Sequence, residues 1–168
     1  MADRFPLIVD AGNSNLRELP SGDNLDLTGS SIVNAANLGV LGTTTIQEVI
    51  ETVVIDTSTT GSLIFDVLTG AVKYFNTAQT ANRTINFTNV NTTMAIGQSM
   101  SFALLMTQTT TAYYLNAYEI DSVAVTPKWQ GGTAPTGGNV DSIDSYGFTI
   151  IKTADATFTV LAGLSQFA

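Results

Sequence analysis

The sequence predicts an all-β fold: a single β-sandwich or jelly-roll-like domain with an extended N-terminal arm and at most one short helix. From about residue 52 to residue 167, short runs alternate apolar side chains with Thr, Ser and Asn, which is the pattern of strands buried on one face. Turn signals separate these runs at the spacing of about 8 to 12 residues that is typical of a sandwich. We therefore assign residues 1–50 to the arm and residues 52–168 to the sandwich domain.

The first forty or so residues lack a sustained period, and Pro6 and Pro20 interrupt any ladder of backbone hydrogen bonds. They nevertheless carry too many apolar side chains for a solvated tail. We expect an arm that packs either on its own domain or on a neighbouring subunit. The expected assembly contacts are Phe5, Leu7, Val9, Leu19, Leu25 and Leu27.

The only helix signal lies at residues 45–51. Thr45 followed three residues later by Glu48 matches a capping box, and the β-branched residues that follow share one helical face. The alternative is that Ile46 begins the strand predicted at residues 52–55, because β-branched residues dominate this segment.

Strand signals follow in close succession. The two-residue link Thr69-Gly70 predicts that residues 62–68 and 71–75 pair as a β-hairpin. Further half-buried strands are predicted at residues 83–90, 99–107, 112–118, 123–126, 146–152 and 157–161. The one long connection, residues 130–139, contains the glycines and proline of an exposed loop.

The composition limits the chemistry that the chain can perform. It contains no histidine and no cysteine, which excludes Ser-His-Asp and Cys-His nucleophilic catalysis. A pair of carboxylates among Asp121, Asp141, Asp144 and Asp155 is the remaining arrangement for hydrolysis, although acidic residues beside strands are more often turn residues. We expect no enzymatic activity, no metal and no cofactor.

The charge balance excludes two classes of partner. Lys and Arg total 6 against 14 Asp and Glu, so the net charge is -8, and phosphate backbones or anionic lipids would be repelled. No apolar run approaches the roughly 20 residues of a membrane-spanning helix, and no export signal is visible. We expect neither nucleic acid nor membrane as a partner.

Tyrosine and tryptophan cluster in the second half of the chain, beside the glycine-rich loop. Such amphipathic rings suit the core, a subunit contact or a bound glycan, and we favour core or subunit contact. Alternation places Tyr113 and Tyr114 on opposite faces, so that one of them is free for a partner. The candidate interface or glycan contacts are Tyr114, Trp129, Gln130 and Asn139.

Segments near both ends of the chain carry a family resemblance. They are ADRFPLIVD at residues 2–10, ELPSGDNLDL at 18–27, AYYLNA at 112–117, VTPKWQGG at 125–132 and FTIIKT at 148–153. These segments resemble those of virion structural and fibre-like proteins of tailed phages that infect marine cyanobacteria and related marine bacteria.

The resemblance implies a structural protein of a virion, assembled in the host cytoplasm, with the major capsid protein or tail proteins as partners. No internal repeat like that of a fibre shaft is evident in the sequence. We therefore expect a capsid-surface decoration, or cement, protein that forms a homotrimer. The alternative is a tail, baseplate or fibre component that binds a carbohydrate of the host surface through Trp129 and the loop that follows it.

Overall fold

The computed structural model describes residues 7–10, 15–18 and 43–168. The chain divides into two compact units, Met1–Gln47 and Glu48–Ala168. In the first unit, β1 (Leu7–Asp10) pairs antiparallel with β2 (Asn15–Glu18). Most of the predicted arm lies outside the described residues, as do four of its expected assembly contacts, Phe5, Leu19, Leu25 and Leu27. The other two, Leu7 and Val9, lie in β1.

The second unit is a β-sandwich of two packed sheets, so the predicted all-β class is confirmed. In spatial order, the six-stranded sheet contains β10 (Lys128–Trp129), β12 (Thr157–Phe167), β11 (Ile143–Ala154), β7 (Ser99–Thr107), β5 (Val72–Phe75) and β3 (Val53–Asp56). The four-stranded sheet contains β4 (Leu63–Asp66), β6 (Arg83–Thr88), β8 (Leu115–Ile120) and β9 (Val123–Ala124).

From β3 to β8 the chain alternates between the two sheets, and successive strands within each sheet are parallel. The winding is that of a short solenoid, and the long antiparallel pair β11 and β12 continues the larger sheet beyond β7. The predicted hairpin between residues 62–68 and 71–75 is therefore wrong, because β4 and β5 belong to different sheets. The link at Thr69-Gly70 lets both strands turn an apolar face inward, where Phe65 and Phe75 are buried.

The predicted helix at residues 45–51 is also wrong, since this segment has no helical residue. The alternative start of a strand at Ile46 is wrong as well, because β3 begins at Val53. The side chains of Ile46 and Ile50 are exposed, so an amphipathic helix here would lack a partner for its apolar face. A one-turn helix that the sequence did not indicate, α1 (Val90–Thr93), follows β6 instead.

Four phenylalanines from both sheets form the centre of the core. Phe87 lies 5.4 Å from Phe65, 5.4 Å from Phe102 and 5.2 Å from Phe148 between ring centroids. Tilted and edge-to-face contacts of this kind add to the free energy that burial of the rings supplies. Among the residues that the structure describes, no helix has the length and apolar character needed to cross a bilayer.

Candidate functional site

The outer face of the six-stranded sheet has a raised, apolar half on β3, β5 and β7. In one row across these strands, Ile55 lies opposite Tyr74, and Tyr74 opposite Leu105. In the next row, Val53 lies opposite Val72. These five side chains point away from the core and are half-buried or exposed; we call them the apolar ridge.

The other half of the same face, over β10, β11 and β12, is hollow. Gly147 lies opposite Gly163 and Ser145 opposite Ser165, so the middle of the floor consists of residues with little or no side chain. Thr149 and Leu161 line one end. The resulting open groove has a volume of about 590 Å³ and is bordered by Lys128, Trp129 and Gln130. We call it the glycine groove. Its depth follows from the missing side chain at Gly147, where a Cβ atom would meet nothing within 4 Å.

Charge is distributed unusually between the two sides of this sheet. The outward residues in the paired registers of β3, β5, β7, β11 and β12 include no charged side chain, and Lys128 lies at the edge. The charged residues of these strands point inward instead: Asp56 pairs with Lys73 at 3.0 Å, and Asp144 and Lys152 are buried. An exposed protein face normally carries many charges, so this one has the character of a contact surface.

Trp129 borders the glycine groove but belongs mainly to an aromatic cluster at the edge of the core. Its ring lies 5.5 Å from Tyr118 and 6.4 Å from both Tyr146 and Phe148, with steep angles between the ring planes. Because these rings cover much of it, only part of the tryptophan is accessible to a partner. Burial also raises the pKa of Tyr118 and of Tyr146 above the ordinary value of tyrosine, so both phenols stay neutral.

The structure brings two of the four candidate contacts to the glycine groove. Gln130 is exposed beside Trp129, and its Oε1 lies 3.1 Å from where a Cβ on Gly163 would stand. Asn139 instead donates from its backbone N and Nδ2 to the Asp144 carboxylate, at 3.0 and 2.6 Å. The fourth residue, Tyr114, does not line the groove and donates its backbone N–H to Asn82 Oδ1 at 3.1 Å.

The carboxylates considered for hydrolysis lie in unlike environments. Asp144 is fully buried and also accepts a hydrogen bond from Gln108 Nε2 at 3.2 Å, whereas Asp141 is exposed. Asp121 accepts the backbone N–H groups of Val90 and Asn91 at the start of α1. Within residues 43–168, no group of three or more acidic side chains is placed to hold a metal ion.

A second cavity, which the sequence analysis missed, has a volume of about 400 Å³. Its lining is mainly apolar and includes Ile120, Val123, Val125 and Phe158, with the carboxylate of Asp121 at one side. Two turns that are far apart in the sequence form this cavity: the turn between β8 and β9 and the turn between β11 and β12. No local sequence signal marks such a cavity, because its walls meet only in the folded sandwich.

No family model, curated protein or solved structure matches this chain.

Proposed function

We propose that this protein is a structural protein of a phage virion and that it decorates the capsid surface, where it stabilises the shell. Two lines of argument support the proposal: the resemblance of segments near both ends to virion proteins, and the outer face of the six-stranded sheet. That uncharged face is the observation that carries the proposal, because burial of an uncharged surface under another protein is the most favourable in free energy.

The energetics of such a role require only modest contacts. At about 25 cal/mol per Å², a contact that buries several hundred Å² of apolar surface contributes several kcal/mol before the costs of association. Because a shell repeats each contact many times, a protein of this kind needs no reacting group. The major capsid protein is the partner that this role implies, and tail proteins are the partners if the location is the tail.

Immunogold labelling of intact particles tests the proposed location. Antibodies raised against residues 52–168 should place gold over the capsids of purified phage. Labelling restricted to tails would reject capsid decoration but keep a virion role. If the protein is abundant in infected cells and absent from purified particles, the virion role itself is wrong.

The second candidate function is binding of a host-surface carbohydrate by a tail or fibre component. The glycine groove favours it, because hydroxyl and amide groups of Ser145, Ser165 and Gln130 line a shallow hollow beside a partly exposed tryptophan. Under this function, Gln130→Ala should reduce adsorption of phage to host cells while particle composition stays normal. Thr109→Ala, an exposed change away from the groove, is the control. Unchanged adsorption with Gln130→Ala would count against the groove as the glycan site.

A further inference from the structure

We infer that the outer face of the six-stranded sheet joins two copies of this chain, with the apolar ridge of one copy seated in the glycine groove of the other. This inference concerns self-association. It assigns the uncharged face to a second copy of the chain rather than to a capsid protein, and it predicts a two-fold pair in place of the homotrimer expected from the sequence.

Electrostatics favours this face for contact between identical chains. Each copy carries a net charge of -8, so most ways of bringing two copies together place carboxylates near each other. The outward residues of β3, β5, β7, β11 and β12 avoid this repulsion, because none of those in the paired registers is charged. Burying these residues also avoids the cost of removing charged groups from water.

The shape of the face is self-complementary. The apolar ridge and the glycine groove lie on the same side of one sheet, and the boundary between them runs along β7 and β11. A two-fold axis along that boundary places the ridge of each copy over the groove of the other. The contact is then isologous, as in most closed homodimers. Side chains such as Ile55 and Tyr74 would enter the hollow that Gly147 leaves open.

The size of the face suits a stable pair. Six strands about 4.8 Å apart span about 24 Å, and a nine-residue strand such as β7 is about 30 Å long. Because β3, β5 and β10 are shorter, the face measures about 500 to 700 Å². A stable interface covers about 800 Å² of accessible surface on each partner, which a corrugated face of these dimensions approaches.

A second copy explains both halves of the face, whereas a glycan explains only one. A carbohydrate in the glycine groove would leave Val53, Ile55 and the rest of the apolar ridge in water. A copy of the same chain covers the ridge and fills the groove in a single contact. Occupation by a second copy would also block the groove to a glycan, so the two proposals compete for this surface.

The chain offers a matched pair of variants for testing the interface. Ile55 and Ile64 are 55% and 51% exposed, and they lie on the edge strands β3 and β4, on the outer faces of the two different sheets. We expect sedimentation of the full-length protein to show self-association that Ile55→Glu abolishes and Ile64→Glu leaves intact. Circular dichroism should show that both variants keep their strands, since the backbone cost of glutamate at two edge strands is similar.

Two outcomes of this experiment would overturn the inference. The first is a monomeric wild-type protein at the highest concentration that remains soluble, which would leave the face to another partner such as a capsid protein or a glycan. The second is an equal effect of the two substitutions on a self-associating protein, which would place the contact elsewhere.

Cysteine cross-linking tests the contact of ridge with groove directly, because the native sequence has no cysteine. The two-fold arrangement brings Ile55 of one copy near Gln130 of the other and keeps like residues far apart. Mixed Ile55→Cys and Gln130→Cys proteins should therefore form a covalent pair with a short bis-maleimide, while neither variant does so alone. Cross-linking of either variant with itself, or none in the mixture, would contradict the proposed contact.

Discussion

A buried arginine organises one end of the sandwich. Arg83 is 2% exposed, and its guanidinium donates to the carbonyl oxygens of Gly61 and Ser58, to Ser58 Oγ and to Gln79 Oε1. It also lies over the ring of Phe75, with 4.9 Å between the guanidinium carbon and the ring centroid. These contacts tie the link between β3 and β4 to β6. A guanidinium with four hydrogen bonds within the fold is thus a structural element here rather than a binding group.

We expect Arg83→Met to lower the free energy of unfolding by about 2 to 4 kcal/mol. Methionine fills much of the volume but donates no hydrogen bond, so the buried Gln79 Oε1 loses its donor at a cost of about 1 to 3 kcal/mol, and the partly buried acceptors of Ser58 and Gly61 add to it. Urea denaturation followed by circular dichroism measures the change. The control is Lys128→Met, an exposed substitution that should stay within about 0.5 kcal/mol of the native protein. Similar values for the two variants would show that the Arg83 hydrogen bonds contribute little.

At the scale of elements, the local sequence specified the positions of the strands more accurately than it specified their pairing. The strand predicted at residues 99–107 coincides with β7, and the prediction at 83–90 contains β6. The hairpin prediction failed because a two-residue turn signal is the same whether the chain folds back within one sheet or crosses to the other. Instead, β5 pairs with β3 and β7, which flank it in the sheet but are not its neighbours in the sequence.

The glycine-rich loop is held by a buried carboxylate and by close backbone packing. Asp144 accepts hydrogen bonds from Asn139 and Gln108 beneath the loop. At Gly138, a Cβ atom would clash with the backbone oxygen of Tyr113, whereas a Cβ at Gly137 would meet nothing within 4 Å. Close packing therefore requires glycine at position 138 but not at position 137.

This difference predicts opposite results for two alanine substitutions. Gly138→Ala should lower the free energy of unfolding by about 1 to 3 kcal/mol, because the backbone oxygen of Tyr113 must move or the loop must detach from Asp144. Gly137→Ala should be neutral, or stabilising by about 0.4 to 1 kcal/mol through a less flexible unfolded chain. Thermal unfolding of the two variants side by side measures both effects. An equal loss of stability in both would contradict the packing described at Gly138.

At the scale of the whole molecule, the unit Glu48–Ala168 contains a complete hydrophobic core. All the buried apolar residues of that core lie between Leu63 and Ala162 and come from both sheets and from α1. A core of this kind needs no metal or disulfide to be stable. The sandwich should therefore fold without the residues that precede it.

Removal of residues 1–42 should leave a soluble protein that unfolds cooperatively but no longer joins phage particles. The first result follows from the self-contained core, and the second from the proposed role of the arm in assembly. Circular dichroism melting and quantitative mass spectrometry of purified particles measure the two properties. Full occupancy of particles by the truncated protein would show that the arm is not the assembly contact, and a truncated protein without a melting transition would contradict the independence of the sandwich.

The sequence alone indicated two residues of the candidate site. Trp129 and Gln130 stood out because an aromatic and an amide precede a glycine-rich loop, and both border the glycine groove. The remaining residues of that surface gave no signal. Ser145, Gly147, Gly163 and Ser165 are ordinary small residues within strands, and they form a groove only because β11 and β12 pair in a register that aligns them.

The amino-acid order by itself determined that this protein is built of strands, because side-chain alternation is a local property that any half-buried strand must show. It also determined the net charge and the absence of histidine and cysteine chemistry. Only the tertiary structure decided which strands are neighbours, where the charges point and which small residues form a groove. The physical reason is that these features depend on pairing between residues far apart in the chain, whose free energy is gained only when both sheets form together.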